Sequence, residues 1–267
     1  MNNFTANFRN RSQPFLSTVI PLITYTHHDA LRQFLLTQLR QFKVVFYVPG
    51  NHEPYSSSWE AVNLFLEEFS TLVLQKKREG EALGEFVPLD RTRYQIGGEE
   101  VTVLGCTLHS FVADEYKEVA SRSLNDFYRT KDWSVDSHNN AHEADKKWLN
   151  RQVEEIERED VGGKRKVVIF THHSPTTDRR ANDARHELVE GWEARGSAFR
   201  TDLSKEKCWT SDRVKLWAFG HTHFNGDFWV DGEEGKGKRV YTNQRGYDRV
   251  GGGGLSAGFD VDRVVQV

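Results

Sequence analysis

A layered α/β fold is what the sequence predicts, on three observations. Short runs of β-branched and aromatic residues alternate with longer stretches whose apolar positions recur at helical spacing. The apolar runs stop abruptly at glycine, proline or polar clusters. Three of them, "VVFYV", "KVVIF" and "KLWAF", run straight into histidine-bearing corners. Strands separated by helices build a sheet covered by helical layers, and later hairpins add antiparallel strands.

Taken in order, residues 29–42 place Leu31, Phe34, Leu35, Leu39 and Phe42 on one helical stripe behind Asp29 as a cap. Val44 to Val48 reads as a buried strand. Ser58 to Leu74 is a second helix, with Val62, Phe65, Leu66, Phe69 and Val73 on its inner side. Phe86 to Leu89 is a short strand, and "TRYQIGGEEVTVLGCTL" a hairpin turning on Gly97 and Gly98. Asp114 to Asn140 is polar, without a clear period, and is expected to be a long loop or lid. Asp145 to Ile156 is helical again. Lys166 to Phe170, Lys215 to Phe219, "DFWV" and "RVYTN" supply four more strands, and Gly251 to Gly254 a flexible turn before a last apolar segment.

Bulk properties narrow the function. A chain of 267 residues suits one large domain or at most two small ones. Its 37% hydrophobic and 28% charged residues fit a soluble globular protein. A formal net charge of −3 offers no basic footprint for nucleic acid. Cys106 and Cys208 are too few for a disulfide framework, which points to a reducing, cytoplasmic setting. The apolar run "PFLSTVIPLITY" is too short to span a membrane and contains Pro21. Arg9 and Arg11, with no acid before Asp29, have a faint transit-peptide flavour but no amphipathic pattern to support it.

The strand ends carry the chemistry. "VVFYV" leads into Gly50-Asn51-His52-Glu53, "KVVIF" into Thr171-His172-His173-Ser174-Pro175, and "KLWAF" into Gly220-His221-Thr222-His223. Open α/β sheets carry their sites at this end. A lone histidine after a strand is more simply a hydrogen-bonding loop residue. Here, however, five of the eleven histidines occupy three such corners. Imidazole nitrogens with amide or carboxylate oxygens suit manganese, iron or zinc. Neither cysteine lies in a paired zinc motif.

"GNHE", "THHSP" and "GHTH", in that order and after strands, resemble the calcineurin-like metallophosphoesterase superfamily. "VLGCTLHS", "HNNAHEADKKWL" and "NQRGY" are similar to a fungal-type branch labelled Ser/Thr protein phosphatase superfamily. The likeness runs from about residue 29, leaving residues 1–28 as an atypical N-terminal segment and residues 29–267 as the phosphoesterase domain. It implies a four-layered sandwich of two mixed β-sheets flanked by helices, two divalent metals, and a small phosphate-ester substrate attacked by metal-activated hydroxide. By matching position, Asn51, His172 and His221 would hold one metal and His223 the other. His52 would be the general acid, oriented by Glu53.

The resemblance fails at the front. The family opens with an Asp-x-His motif and a Gly-Asp whose carboxylate bridges both metals, but here the chain reads "TVIPLITYTHHD". A truncated or mis-spliced enzyme is the favoured expectation, ahead of a diverged, weakened enzyme or an inactive interaction protein on the same scaffold. At most one metal is expected. His27 and His28 are expected to be loop residues rather than substitute ligands. His138 and His142, four apart, read as part of a helix N-terminus. Arg245 could contact phosphate or form a salt bridge. His109 is a residue lining the pocket, His173 stands beside the ligands, and Cys106 is a small buried hydrophobe.

Overall fold

A computed structural model of the chain describes residues 16–18, 28–97, 100–183, 191–232, 237–246 and 257–267. Its strands form two sheets. The smaller joins β1 (Leu16–Thr18), β2 (Val44–Tyr47) and β3 (Glu85–Pro88), with both pairings parallel. The larger runs in the order β4-β5-β6-β7-β9-β8, from β4 (Thr92–Gln95), β5 (Val101–Cys106), β6 (Lys166–Thr171), β7 (Val214–Phe219), β8 (Gly226–Val230) and β9 (Lys238–Thr242). Its outer pairs are antiparallel and its inner pairs parallel.

The two-residue alternation of a strand explains the layers. Val45 and Tyr47 of β2 pack under α1 (His28–Leu39) and α2 (Trp59–Arg78). Their neighbours Val44 and Phe46 turn the other way and meet Val168, Phe170, Leu216 and Ala218 of the larger sheet. On β6, Val167 and Ile169 face outward onto Trp148, Leu149, Val153 and Ile156 of α5 (Val135–Glu159). Helices, sheet, sheet, helices is the expected sandwich. Phe46 and Phe170 stack between the sheets at 6.2 Å and are fully buried. Truncating either to alanine would cost about 3–5 kcal/mol.

The polar middle is helical rather than a loop. After a 3₁₀ turn at Asp114–Tyr116 come α3 (Lys117–Ser123) and α4 (Asp126–Arg129), and α5 already starts at Val135. Ser134 caps α5, accepting the Ser137 N–H at 3.1 Å. The short pieces are held by a satellite core in which Ala120, Leu124, Phe127 and Val135 meet Val112, Ala198 and Phe199. Each piece is too short for a helical period to show in the sequence. A second 3₁₀ turn at Arg179–Ala181 and two minor helices, α6 (Trp192–Gly196) and α7 (Lys207–Thr210), complete the described elements. Asp29 lies in the first turn of α1 rather than before it. Gly98, His27 and Gly251 to Gly254 lie outside the described residues. Among the described residues no helix is long and apolar enough to cross a membrane.

Candidate metal centre

The three histidine-bearing corners meet because one threonine ties their backbones together. Thr107, just past β5, donates its hydroxyl to Pro49 O at 2.9 Å. Its own carbonyl accepts the His172 and His173 N–H groups at 3.2 and 3.1 Å, and His172 O accepts the Gly220 N–H at 3.0 Å. The ends of β2, β6 and β7 are thereby fixed relative to one another. Gly50 lets them close up. A Cβ there would come within 2.5 Å of the His172 ring, so no other residue leaves that ring in place.

Asn51, His172 and His221 then converge. Asn51 Oδ1 lies 2.8 Å from His172 Nε2, which lies 3.1 Å from His221 Nδ1. Burial, then the neighbouring His221, holds His172 well below the usual imidazole range; burial, then His223, does the same to His221. Both are therefore neutral at physiological pH and keep a lone pair. The outer nitrogen of His172, Nδ1, is buried without a hydrogen-bond partner, while a backbone hydrogen bond at Ala198 reaches the His221 ring. Donor atoms sharing one divalent cation at roughly 2.0–2.2 Å stand roughly 3 Å apart. Asn51 Oδ1 and His221 Nδ1 each stand at that spacing from His172 Nε2.

His221 and His223 both sit at positive φ, 67° and 54°, in a corner that a side chain must hold. Gln244 does so. Its Oε1 accepts the His223 N–H at 2.8 Å, and its Nε2 donates to Thr222 Oγ1 at 3.1 Å and Phe224 O at 3.0 Å. Phe199 stacks on the His221 ring at 4.4 Å. "NQRGY" thus reaches the site through Gln244, a residue that sequence reasoning passed over in favour of Arg245.

A cavity of about 300 Å³ opens beside these atoms, lined by Asn51, His52, Tyr55, Asp126, Trp192, Phe199, His221 and His223 among others. His52 stacks on Tyr55 at 4.6 Å. Burial, then His223 and Arg129, lowers its pKa to about 3, so it is neutral as it stands. Glu53 is turned inward. Its Oε1 accepts from the Tyr47 hydroxyl at 2.9 Å and its Oε2 from the Gly50 N–H at 3.0 Å, which clamps the turn carrying Asn51 and His52. Burial raises its pKa to about 7. Asp126, from the start of α4, was not foreseen. Its Oδ1 accepts from Asn51 Nδ2 at 2.8 Å and also from the Tyr55 hydroxyl.

The remaining histidines lie behind this cluster or away from it. His173 is fully buried, its ring 4.2 Å from that of His221, with neither nitrogen hydrogen-bonded. His138 and His142 do share a buried face at the N-terminal end of α5. His109 meets Asp145 at 3.4 Å beside a second cavity of about 150 Å³. His28 packs on Phe65 of α2 at 4.4 Å, in the helical layer.

Two packed sheets with ligand-type side chains at their strand ends define a metal-dependent hydrolase scaffold. The family model for calcineurin-like phosphoesterases matches residues 25–225. The chain belongs to that family. It is also similar to an uncharacterised protein of Acanthamoeba polyphaga mimivirus, 24% identical over 207 residues, which cover 76% of this chain and 68% of the viral one. The family is one of phosphoester hydrolases that use divalent metals. Among the described residues no three His, Cys, Asp or Glu side chains are grouped to hold a metal ion. The cluster here consists instead of two imidazoles and an amide oxygen, a neutral donor set that suits one borderline divalent cation.

Proposed function

We propose that this chain hydrolyses a small phosphate ester with the help of a single divalent cation, manganese, iron or zinc, held by Asn51, His172 and His221. The observation that carries the reading is the convergence of Asn51 Oδ1, His172 Nε2 and His221 Nδ1 within 2.8 and 3.1 Å. A cation bound there supplies Lewis-acid polarisation of a phosphoryl oxygen and a nucleophilic water at neutral pH. His52 lines the substrate cavity and is the proton donor to the leaving oxygen. It is neutral in the free protein and takes the proton it passes on from solvent or from a phosphate monoanion, an uptake that the substrate's negative charge favours. Glu53 holds the turn that presents His52. His223 faces the same cavity and, among the described residues, is the one the resemblance assigns to the family's second metal position, which supports a slow enzyme with at most one metal. The free, buried Cys106 and Cys208 support a reducing, cytoplasmic setting.

The test is turnover of an aryl phosphate with added manganese. Wild type should hydrolyse it, and His172→Ala should lose at least ~100-fold in rate, as expected when charge stabilisation is removed. Equal rates in the two proteins would refute the assignment. Manganese binding without turnover would favour the inactive interaction protein instead.

A further inference from the structure

A carboxamide can serve a cation only through its oxygen, yet Oδ1 and Nδ2 are nearly the same size and shape. Packing alone does not choose between the two orientations of Asn51. A hydrogen bond at its other end does. Asn51 Nδ2 donates to Asp126 Oδ1 at 2.8 Å, with the Tyr55 hydroxyl on the same oxygen and 3.3 Å from Nδ2. An ionised carboxylate only accepts, so it faces the NH₂ group and not Oδ1. Turning the amide over would set Oδ1 against the carboxylate and bring Nδ2 to His172 Nε2.

Asp126 is well placed to hold this orientation. It is 7% exposed, and it opens α4, whose Phe127 is anchored in the satellite core with Leu124, Val112 and Phe199. It also lines the cavity beside the three facing atoms. We infer that Asp126 is a positioning residue of the metal centre: by accepting from Asn51 Nδ2 it fixes the Asn51 amide with Oδ1 toward His172 and His221. The inference rests on the metal-centre reading above and deepens it. Groups of this kind, which orient a ligand without touching the metal, typically change metal affinity by about 10–100-fold when removed.

Two readouts test it. Calorimetric titration with zinc should show Asp126→Ala weakening binding by about 10–100-fold. Asp126→Asn keeps the shape and an acceptor oxygen but not the charge, so its loss should be intermediate; it also guards against a misfolded alanine variant. The decisive comparison repeats both changes in an Asn51→Asp background. An aspartate has two equivalent oxygens and no orientation to set, and Asp126 would repel it. There, Asp126→Ala should leave zinc affinity unchanged or raise it. The same loss in both backgrounds, or no loss in either, would overturn the proposal, because a purely structural role is blind to residue 51. The second readout needs no metal. The Asn51 side-chain NH₂ resonance of the zinc-free protein, assigned by its absence in Asn51→Asp, should move upfield in Asp126→Ala. An unmoved resonance overturns the inference even in a protein that binds no zinc. A shifted resonance in a protein that never binds zinc removes the metal centre while leaving the hydrogen bond.

Discussion

Two groups of buried histidines stand back to back in this protein, and only one has the geometry of a ligand set. In the front group, atoms from the ends of three strands face one another at 2.8 and 3.1 Å. In the rear group, His109, His138 and His173 meet as rings with centroids 5.1–5.6 Å apart. Behind the cluster, His138 Nε2 accepts the Ser110 N–H at 3.2 Å, and the neighbouring His142 Nδ1 donates to Leu108 O at 3.1 Å. The front group is built for an ion and the rear group for packing. Abundance of imidazole does not separate them. Convergence of lone pairs does.

The largest effect should come from deleting a front ligand. His172→Ala or His221→Ala should lower manganese or zinc affinity by more than ~100-fold, beyond the cost of losing a merely supporting residue. His109→Ala should leave it unchanged. Calorimetric titration of the three variants checks this, and equal losses would erase the distinction between the groups. Gly50→Ala comes next. The added methyl lies 2.5 Å from the His172 ring, so the ring must move and metal binding should fall. Such overpacking should also cost about 1–3 kcal/mol in urea denaturation. A Gly50→Ala protein with wild-type affinity would mean that His172 is not held where it must be to bind.

How far these differences could be read in advance depended on sequence distance. The three strand ends were legible because each apolar run stops at its own polar corner, whereas the four layers came only with the family resemblance. Asp126 was invisible. It meets Asn51 from 75 positions away, inside a segment whose helices are too short to show a period. The start of α5 was misjudged for a related reason: after Val135 its next buried positions are His138, Asn139 and His142, polar residues that do not mark an apolar stripe. His52 was read as a general acid with no hint that burial lowers its pKa to about 3. Burial is a property of the assembled fold that no local motif reports.

The rear group should announce itself in acid. Burial, then His109 and His142, holds His138 well below its ordinary value. Below pH 6.5 the unfolded chain takes up this proton and the native protein does not. The associated stability is therefore complete above pH 6.5 and lost as pH falls toward the native pKa. Relative to His138→Gln, the wild type should lose about 1.4 kcal/mol per pH unit in that window. Parallel stability curves for the two proteins would show that His138 is protonated, or hydrated, in the native state. The smallest effect is expected at His223, which shares the cavity but lies outside the three-atom cluster. His223→Ala should reduce metal retention little, and a complete loss would add it to the first ligand set.

The most direct measurement is a crystal soaked in manganese, read by anomalous diffraction. The account predicts one peak within about 2.0–2.3 Å of Asn51 Oδ1, His172 Nε2 and His221 Nδ1 together, the range of such ligand distances. A peak beside His109 and Asp145 instead, or none at the strand ends at saturating manganese, would contradict it.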